Sequence, residues 1–307
     1  MIVKWHELGR VSPLDRPGLP ANHVRGWARD SDGRLQSTCQ RVDALGRLAS
    51  LREQTGWHCD IRDIAGFSAS KSDLDRTATM DDFARAFCPR YIEDVSETGL
   101  RKNLAHSEIR ILHSANSADH FVSYAWDGRL MLANGGGSHH LAAACYIARR
   151  TKTAVPVAGT LYEYKLDPTA INALRGSYEI LLVPDDVRFS NGLFDALQAD
   201  AVSHYWMDVP RQLPGLQALL LPRGEVRSMR AAEILKEAGA FDLGQHLTNL
   251  VVLQERHAAT LPALNAAALR DMPAHDSSRP PQAPRVAAPN KAVHVLEDEP
   301  HGPLMQP

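Results

Sequence analysis

The sequence predicts an α+β protein with a small mixed sheet, packed helices and a helical C-terminal part. Three observations lead to this fold class. Short runs of strand-forming residues occupy the middle of the chain, a glycine-rich turn joins one of them to a helical pattern, and helical patterns predominate after residue 225. A chain of 307 residues is long enough to bury a core in one or two domains.

The patterns divide the chain into four predicted parts. Residues 1–95 form an irregular or helical N-terminal region, 96–225 the α+β core with the glycine-rich motif, and 226–271 the helical C-terminal part. Residues 272–307 contain eight prolines and few large apolar side chains. Such a composition cannot bury enough apolar surface to fold, so it predicts a disordered tail.

Charge and cysteine content narrow the class of protein. A formal net charge of −2 argues against nucleic acid as a main partner, because such binding needs a basic surface. The four cysteines, Cys39, Cys59, Cys88 and Cys145, have neither zinc-site nor redox-motif spacing and are interpreted as reduced thiols. No apolar run resembles a signal peptide or a membrane span, so we expect a cytoplasmic protein without a membrane partner.

Two helices are predicted in the N-terminal region. Val42, Leu45, Leu48 and Leu51 recur at helical spacing and predict a helix over residues 40–53. Residues 79–87 form the second helical pattern, with Thr77 or Thr79 as its N-cap, and it ends before a proline.

The middle of the chain contains the strands that lead into the motif. Residues 120–126 predict a strand, Asp127 and Gly128 a two-residue hairpin turn, and residues 129–133 the partner strand. A helix is predicted over 139–150 with Ser138 as its N-cap. The elements predicted after it are strands at 153–166, 178–183 and 216–221, and helices at 168–175, 191–198, 229–238 and 244–270.

The glycine-rich motif predicts an anion-binding cradle. Asn134 is followed by Gly135, Gly136 and Gly137, and then by Ser138, His139 and His140. Glycines allow a phosphate to approach the backbone, and the first amides of a helix have no partner within the helix. The simpler alternative is a tight strand-to-helix turn capped by a serine.

The same residues resemble the signature of the ParB/sulfiredoxin superfamily. Residues 136–140 are followed by Leu-Ala-Ala-Ala, and a Val-Pro-Val strand at 155–157 comes after the helix, so the resemblance covers residues 121–164. Members of this superfamily include CTP-hydrolysing partition proteins, ADP- or ATP-dependent serine kinases and sulfinic-acid reductases. The motif also resembles an uncharacterised bacterial and phage family, which implies no activity.

The resemblance implies a ParB/sulfiredoxin-like core and specific residue roles. Gly136 and Gly137 would contact phosphate, and Ser138 would occupy the position of the sulfiredoxin cysteine. His139 would replace the motif histidine and His140 the arginine. Serine cannot perform thiol chemistry, and histidine lacks the permanent charge and bidentate donors of arginine. These departures argue against sulfinic-acid reduction and predict weaker or pH-dependent nucleotide binding.

Other residues provide candidate bases and an alternative site. Glu163 is a candidate general base, by analogy with the carboxylate of the superfamily kinases, although surface polarity also explains it. Asp127 is more simply a turn residue. A metal-dependent hydrolase is an alternative hypothesis, with ligands drawn from these residues: His106, Glu108, His113 and His120 with His139 or His140.

Together these patterns predict a protein that binds a small anionic ligand or nucleotide, with a phosphotransferase or a nucleotide hydrolase as the candidate enzymes. The candidate catalytic residues are Ser138, His139, His140 and Glu163. The candidate ligand-binding residues are Asn134, Gly135, Gly136, Gly137 and Ser138. Mg²⁺ would accompany a nucleotide, and no protein metal site is predicted. The alternative is a non-enzymatic binding or regulatory protein of bacterial or phage origin.

Overall fold

Two β-sheets with helices packed on them form the fold in the computed structural model, which describes residues 22–114, 117–209 and 215–258. The strands are β1 (His23–Arg29), β2 (Leu35–Arg41), β3 (Ala49–Asp60), β4 (Ile64–Phe67), β5 (His120–Tyr124), β6 (Leu130–Ala133), β7 (Pro156–Leu166), β8 (Tyr178–Pro184), β9 (His204–Asp208), β10 (Leu216–Pro222) and β11 (Phe241–Asp242). The helices are α1 (Met80–Phe87), α2 (Glu97–Leu104), α3 (Arg110–His113), α4 (Ser138–Thr151), α5 (Pro168–Ser177), α6 (Val187–Ala199), α7 (Val226–Glu237) and α8 (Leu243–Ala258). The predicted tail and the helical pattern beyond Ala258 lie outside the described residues.

The α+β class and the helical C-terminal part are confirmed, but the chain forms two sheets where one was predicted. A mixed five-stranded sheet has the order β3-β7-β5-β6-β4. An antiparallel six-stranded sheet has the order β11-β8-β10-β9-β1-β2. Strands from residues 23–67 thus pair with strands after residue 120, so the predicted boundary at residue 95 falls between segments that share sheets.

The predicted helix over residues 40–53 is wrong, and so is the irregular or helical character of the N-terminal region. The described part of that region contains four strands, and β3 begins at Ala49. Val42, Leu45 and Leu48 are buried as expected, but a short 3₁₀ turn at Leu45–Arg47 is enough to bury them. Long antiparallel pairing of β3 with β7 then overrides the helical spacing and leaves Leu51 exposed.

Elements with strong local signals are confirmed. Thr79 is the N-cap of α1, and its hydroxyl accepts a hydrogen bond from the Asp82 amide at 3.1 Å. Asp167 caps α5, with Pro168 at the first helical position. The fully buried strand predicted at 178–183 is β8.

Two local details of the central segment differ from the prediction. The hairpin between β5 and β6 forms, but its connection runs over residues 125–129 and is longer than two residues. Helix α4 begins at Ser138, and its N-cap is Gly137 in the left-handed region. Ser138 is therefore not the N-cap, because a glycine makes the sharp change of direction at lower cost.

Helix α4 is the central helix of the five-stranded sheet. Its residues Ala142, Ala143 and Ala144 are fully buried in the same core as Phe121 of β5. At its C-terminal end, Arg149 donates hydrogen bonds to the carbonyls of Arg62 and Ile64 and to the Asp81 carboxylate. These bonds hold α4 against the start of β4 and the first turn of α1.

Helices cover both faces of β8 and β10 in the six-stranded sheet. Ile180 and Leu182 pack in the core that includes α5 and α8. Leu181 and Val183 point to the opposite side and pack with residues of α6 and α7. Within the described segments, no helix is long and apolar enough to cross a membrane.

The Asp186 carboxylate caps α6 and accepts hydrogen bonds from the amides of Arg188 and Phe189. Replacing Asp186 with alanine leaves these amides without a side-chain acceptor, so we expect a loss of about 1 kcal/mol in the free energy of unfolding. Urea denaturation measures this loss. The neighbouring variant Asp185→Ala is the control, and an equal loss in both variants would contradict the cap.

Candidate functional site

The parallel pairing of β4 with β6 places two loops side by side. Leu132 and Phe67 are partners in this ladder, so both strands end at the same edge of the sheet. Residues 68–72 follow β4, and residues 134–137 follow β6 and lead into α4. Carboxyl ends of neighbouring parallel strands are frequent ligand-binding positions in sheets covered by helices.

Asn134 joins the two loops. Its side-chain oxygen accepts a hydrogen bond from the Ala69 amide at 3.0 Å, and its side-chain nitrogen donates to the carbonyls of Ala69 and Gly136. The backbone amide of Asn134 donates to the Ser68 hydroxyl. With the side chain buried and bonded in this way, Asn134 shapes the turn and does not line the cleft, which corrects its predicted role in ligand binding.

Gly137 makes the turn into α4. Its φ of +71° lies in the left-handed region, and a Cβ atom at this position would be 2.5 Å from the Glu108 carbonyl oxygen. Two independent requirements, the positive φ and the close approach of another backbone segment, therefore favour glycine here.

Gly135 lies between two charged side chains. Its amide donates to Asp119 Oδ1 at 2.7 Å, and a Cβ atom there would be 2.8 Å from a terminal nitrogen of Arg110. Because the Gly135 amide is already bonded, it is not available to a ligand, contrary to the predicted role of this residue.

The glycine turn and the start of α4 line a cleft of about 780 Å³. Its walls come from the loop after β4, from the segment between α2 and α3, and from the end of α1 and the turn after it. The lining residues are Ala69, Ser70, Lys71, Phe87, Tyr91, His106, Glu108, Arg110, Gly135, Gly136, Gly137, Ser138, His139 and His140.

Backbone amides provide one set of donors in the cleft. Among the described residues, no acceptor is hydrogen-bonded to the amides of residues 136–140, whereas the next amide, that of Leu141, donates to the Gly137 carbonyl. The start of a helix also carries a partial positive charge. These amides are donors without a partner in the described segments.

Lys71 and Arg110 provide the cationic groups. Both side chains are exposed, and neither forms an ion pair with any residue in the described ranges. Glu108 is the one acidic residue among those that line the cleft. The lining residues therefore include two cations and one anion, which favours a negatively charged ligand.

Ser138 and His139 are held by the loop after β4. The Ser138 hydroxyl donates to Ser70 Oγ at 3.1 Å, and Ser72 Oγ lies 2.9 Å from His139 Nε2. The Phe83 ring packs against the His139 ring, with 5.4 Å between the ring centres. Ser138 is buried and already hydrogen-bonded, so it braces the wall of the cleft in this conformation.

His140 lies in a stack of rings. The His106 ring is 3.7 Å from it between centres and tilted by 15°, and the Tyr91 ring is 4.3 Å from it. His140 Nδ1 lies 3.1 Å from Oδ1 of the buried Asn103 on α2. Asn103 therefore fixes the orientation of the imidazole.

The surroundings lower the pKa of both histidines of the motif and so favour their neutral form. Burial lowers the pKa of His139, and the positive charge of Lys71 lowers it further. Burial is also the main reason that the pKa of His140 is lowered, with a further contribution from His106 that outweighs the opposite effect of Glu108.

The structure brings most of the predicted site residues together, with two exceptions, Asn134 and Glu163. Ser138, His139, His140 and the three glycines all line the cleft. Glu163 instead lines a separate cavity on the sheet, with Ser123 and Trp57, and its carboxylate is 4.0 Å from Arg52. Asp127 forms an ion pair with Arg129 in the hairpin connection, as expected of a turn residue.

Several lining residues could not be found from the sequence. Ser70, Lys71 and Arg110 follow no recognisable motif, and Asn103, which touches His140, lies 37 residues before it. From the sequence, His106 and Glu108 are candidates only as metal ligands. No local sequence pattern links these residues to the motif. Strand pairing and the packing of α2 on α4 bring them close to it.

The alternative metal site is not assembled. His113 Nε2 bonds to the Leu104 carbonyl, and His120 Nδ1 bonds to the Ala118 carbonyl, and neither residue lines the cleft. The described part of the chain contains no group of three histidine, cysteine or acidic side chains positioned to hold a metal ion.

A model of a family of unknown function (DUF6685) matches residues 54–260. The chain belongs to this family. The matched residues include every segment that lines the cleft. No curated protein and no solved structure matches the chain. The resemblance to the ParB/sulfiredoxin superfamily rests on the motif residues and stays a prediction.

Gly137 and Gly136 form a matched pair for testing the turn. Alanine at Gly137 combines a left-handed φ with a clash against the Glu108 carbonyl, so we expect a loss of more than about 2 kcal/mol in the free energy of unfolding. Alanine at Gly136 would meet its nearest atom at 3.6 Å, an ordinary contact, and should cost much less. Urea denaturation compares the two, and equal losses would contradict the left-handed φ of Gly137 and its close contact with the Glu108 carbonyl.

Stability should depend on the protonation of His140. Because its folded pKa lies below the unfolded value of about 6.5, the unfolded state binds more protons, and stability falls as the pH drops from about 7 to about 5.5. His140→Gln should make this decrease smaller, whereas the exposed-site control His58→Gln should not. Urea denaturation across this pH range measures both slopes, and an unchanged slope in His140→Gln would argue against a neutral, half-buried imidazole.

Proposed function

We propose that the cleft binds a small phosphate-bearing molecule, a nucleotide in the first instance, and that the protein is a phosphotransferase or nucleotide hydrolase. One observation carries this proposal. The unpaired amides of residues 136–140 line the same cleft as Lys71 and Arg110, two cations with no ion-pair partner in the described segments. Backbone amides at a helix start combined with cationic side chains are a common way to hold phosphate.

The size and the apolar part of the cleft favour a nucleotide over inorganic phosphate. A volume of about 780 Å³ lies within the range of cofactor-sized sites. Phe87 and Tyr91 also line the cleft, and aromatic rings are surfaces on which nucleobases stack. We therefore place the phosphates near the glycine turn and the base toward these two rings.

Glu108 and Mg²⁺ would both affect the binding of a nucleotide. The exposed Glu108 carboxylate lowers the affinity for an anion, although solvent and salt screen an exposed charge. Mg²⁺ would be carried mainly by the phosphates of the nucleotide and by water. The alternative of a non-enzymatic binding protein uses the same cleft and differs only in the absence of turnover.

Isothermal titration with ATP, ADP, CTP and pyrophosphate, each with and without Mg²⁺, tests binding. We expect heat with at least one of them and a loss of at least about a hundredfold in affinity in the double variant Lys71→Ala/Arg110→Ala, since each charge-assisted bond contributes about 1.5–3 kcal/mol. The matched control is Arg76→Ala/Lys102→Ala, which removes two exposed cations outside the cleft.

The outcome separates three cases. Binding that is lost in the first double variant and retained in the control supports the proposal. Absence of heat with all four ligands contradicts it. Equal weakening in both double variants would show nonspecific attraction to positive charge, and would also contradict it.

A further inference from the structure

The three histidines of the cleft differ in which ring nitrogen is available to a ligand. His139 has both nitrogens engaged, with Nε2 at 2.9 Å from Ser72 Oγ and Nδ1 at 3.5 Å from Ser138 Oγ. His106 and His140 each have one nitrogen bonded and the other, Nε2, without a hydrogen-bond partner in the described part of the chain. These two rings are therefore the ones that can exchange hydrogen bonds with a ligand.

The protonated nitrogen of neutral His140 follows from the bonds of Asn103. The side-chain nitrogen of Asn103 donates to the carbonyls of Tyr91 and Gly99, both at 2.9 Å. Carbonyls can only accept, so the amide orientation is fixed and Oδ1 faces His140 Nδ1. Oδ1 is an acceptor, so Nδ1 carries the hydrogen and Nε2 has a free lone pair.

The neighbouring ring has the opposite arrangement. The Glu108 amide donates to His106 Nδ1 at 3.4 Å, so Nδ1 is the acceptor and Nε2 carries the hydrogen. The two rings stack at 3.7 Å. One cleft thus holds a free imidazole lone pair on His140 and, beside it, an imidazole N–H donor on His106.

We propose that His140 and His106 act as a pair on the bound phosphate, with His140 Nε2 accepting a proton from the attacking water and His106 Nε2–H donating a hydrogen bond to a phosphoryl oxygen. Asn103 is the positioning residue for His140. This inference rests on the proposed function, since it requires a phosphate in the cleft, and it adds the reaction class, which is hydrolysis of a phosphoanhydride.

The hydrolysis needs no reactant other than water and the bound phosphoanhydride. Water transfers one proton to His140 Nε2 while its oxygen forms a bond to phosphorus. The bond from phosphorus to the bridging oxygen breaks, and the leaving phosphate departs with the electron pair. His106 keeps its proton throughout, and the proton on His140 passes to solvent after the products leave.

The surroundings keep the base unprotonated before the reaction. The titratable groups that act on the His140 ring are His106, Glu108 and His139. Burial and the two histidines lower its pKa, and the exposed Glu108 raises it by less. A general base works best when it is neutral at the working pH and within reach of the proton that it removes.

Nuclear magnetic resonance of ¹⁵N-histidine-labelled protein tests the two tautomers without any substrate. Long-range nitrogen–proton correlations should show hydrogen on Nδ1 of His140 and on Nε2 of His106, with the signals assigned from His140→Gln and His106→Gln. Hydrogen on Nε2 of His140 would overturn the proposal. The tautomers are measured on the unmodified chain, and the two variants serve only to assign the signals.

Phosphate release from ATP, CTP and pyrophosphate, with and without Mg²⁺, tests the chemistry. We expect turnover by the native chain and a decrease in kcat of about a hundredfold or more in His140→Gln, with the dissociation constant changed little. His58→Gln, which alters an exposed histidine outside the cleft, is the matched control. Binding without turnover in the native chain overturns this inference and leaves the proposed function standing, whereas absence of binding overturns both.

The variant Asn103→Asp tests whether Asn103 positions the His140 ring or only supports the fold. A carboxylate beside Nδ1 favours the charged imidazole, so the pH at which kcat rises should move upward. A lower kcat with an unchanged pH profile would show that Asn103 only supports the fold, and would contradict its role as the positioning residue.

Discussion

The parallel pairing of β4 with β6, closed by the Asn134 side chain, is the constraint on which the site depends. The strand pairing ends both strands at one edge, and Asn134 then bonds the backbone of Ala69 and of Gly136. A buried amide with three backbone partners is costly to disturb, because each lost partner leaves a desolvated polar group. The glycine turn and the loop that carries Ser70 and Lys71 therefore keep a fixed separation.

The three consecutive glycines serve different purposes although they look alike in the sequence. Gly137 is required by a positive φ and by the nearby Glu108 carbonyl, and Gly135 fits between Arg110 and Asp119. Gly136 has ordinary space around it and contributes an amide without a partner among the described residues. The three glycines thus meet different structural requirements, which are visible only from the neighbouring segments.

The cleft combines two stacked histidine rings with permanent cations. Lys71 and Arg110 supply attraction for an anion at any ordinary pH, whereas His106 and His140 supply direction, since their tautomers are set by bonds outside the cleft. His140 lies on α4 and Arg110 on α3, so the free lone pair and one of the permanent charges come from different helices.

The sequence by itself predicts the elements whose signals are local: a threonine cap of α1 at Thr77 or Thr79, the start of α5 at Asp167, and the strand–turn–helix that forms the floor of the cleft. Those signals lie within a few residues and depend on backbone and capping preferences. The tertiary structure made Ala49–Asp60 a strand paired with β7, where the sequence predicts a helix over 40–53, and it placed Glu163 in a separate cavity. It alone also brought the walls of the cleft to the motif, because strand pairing and helix packing join residues more than thirty positions apart.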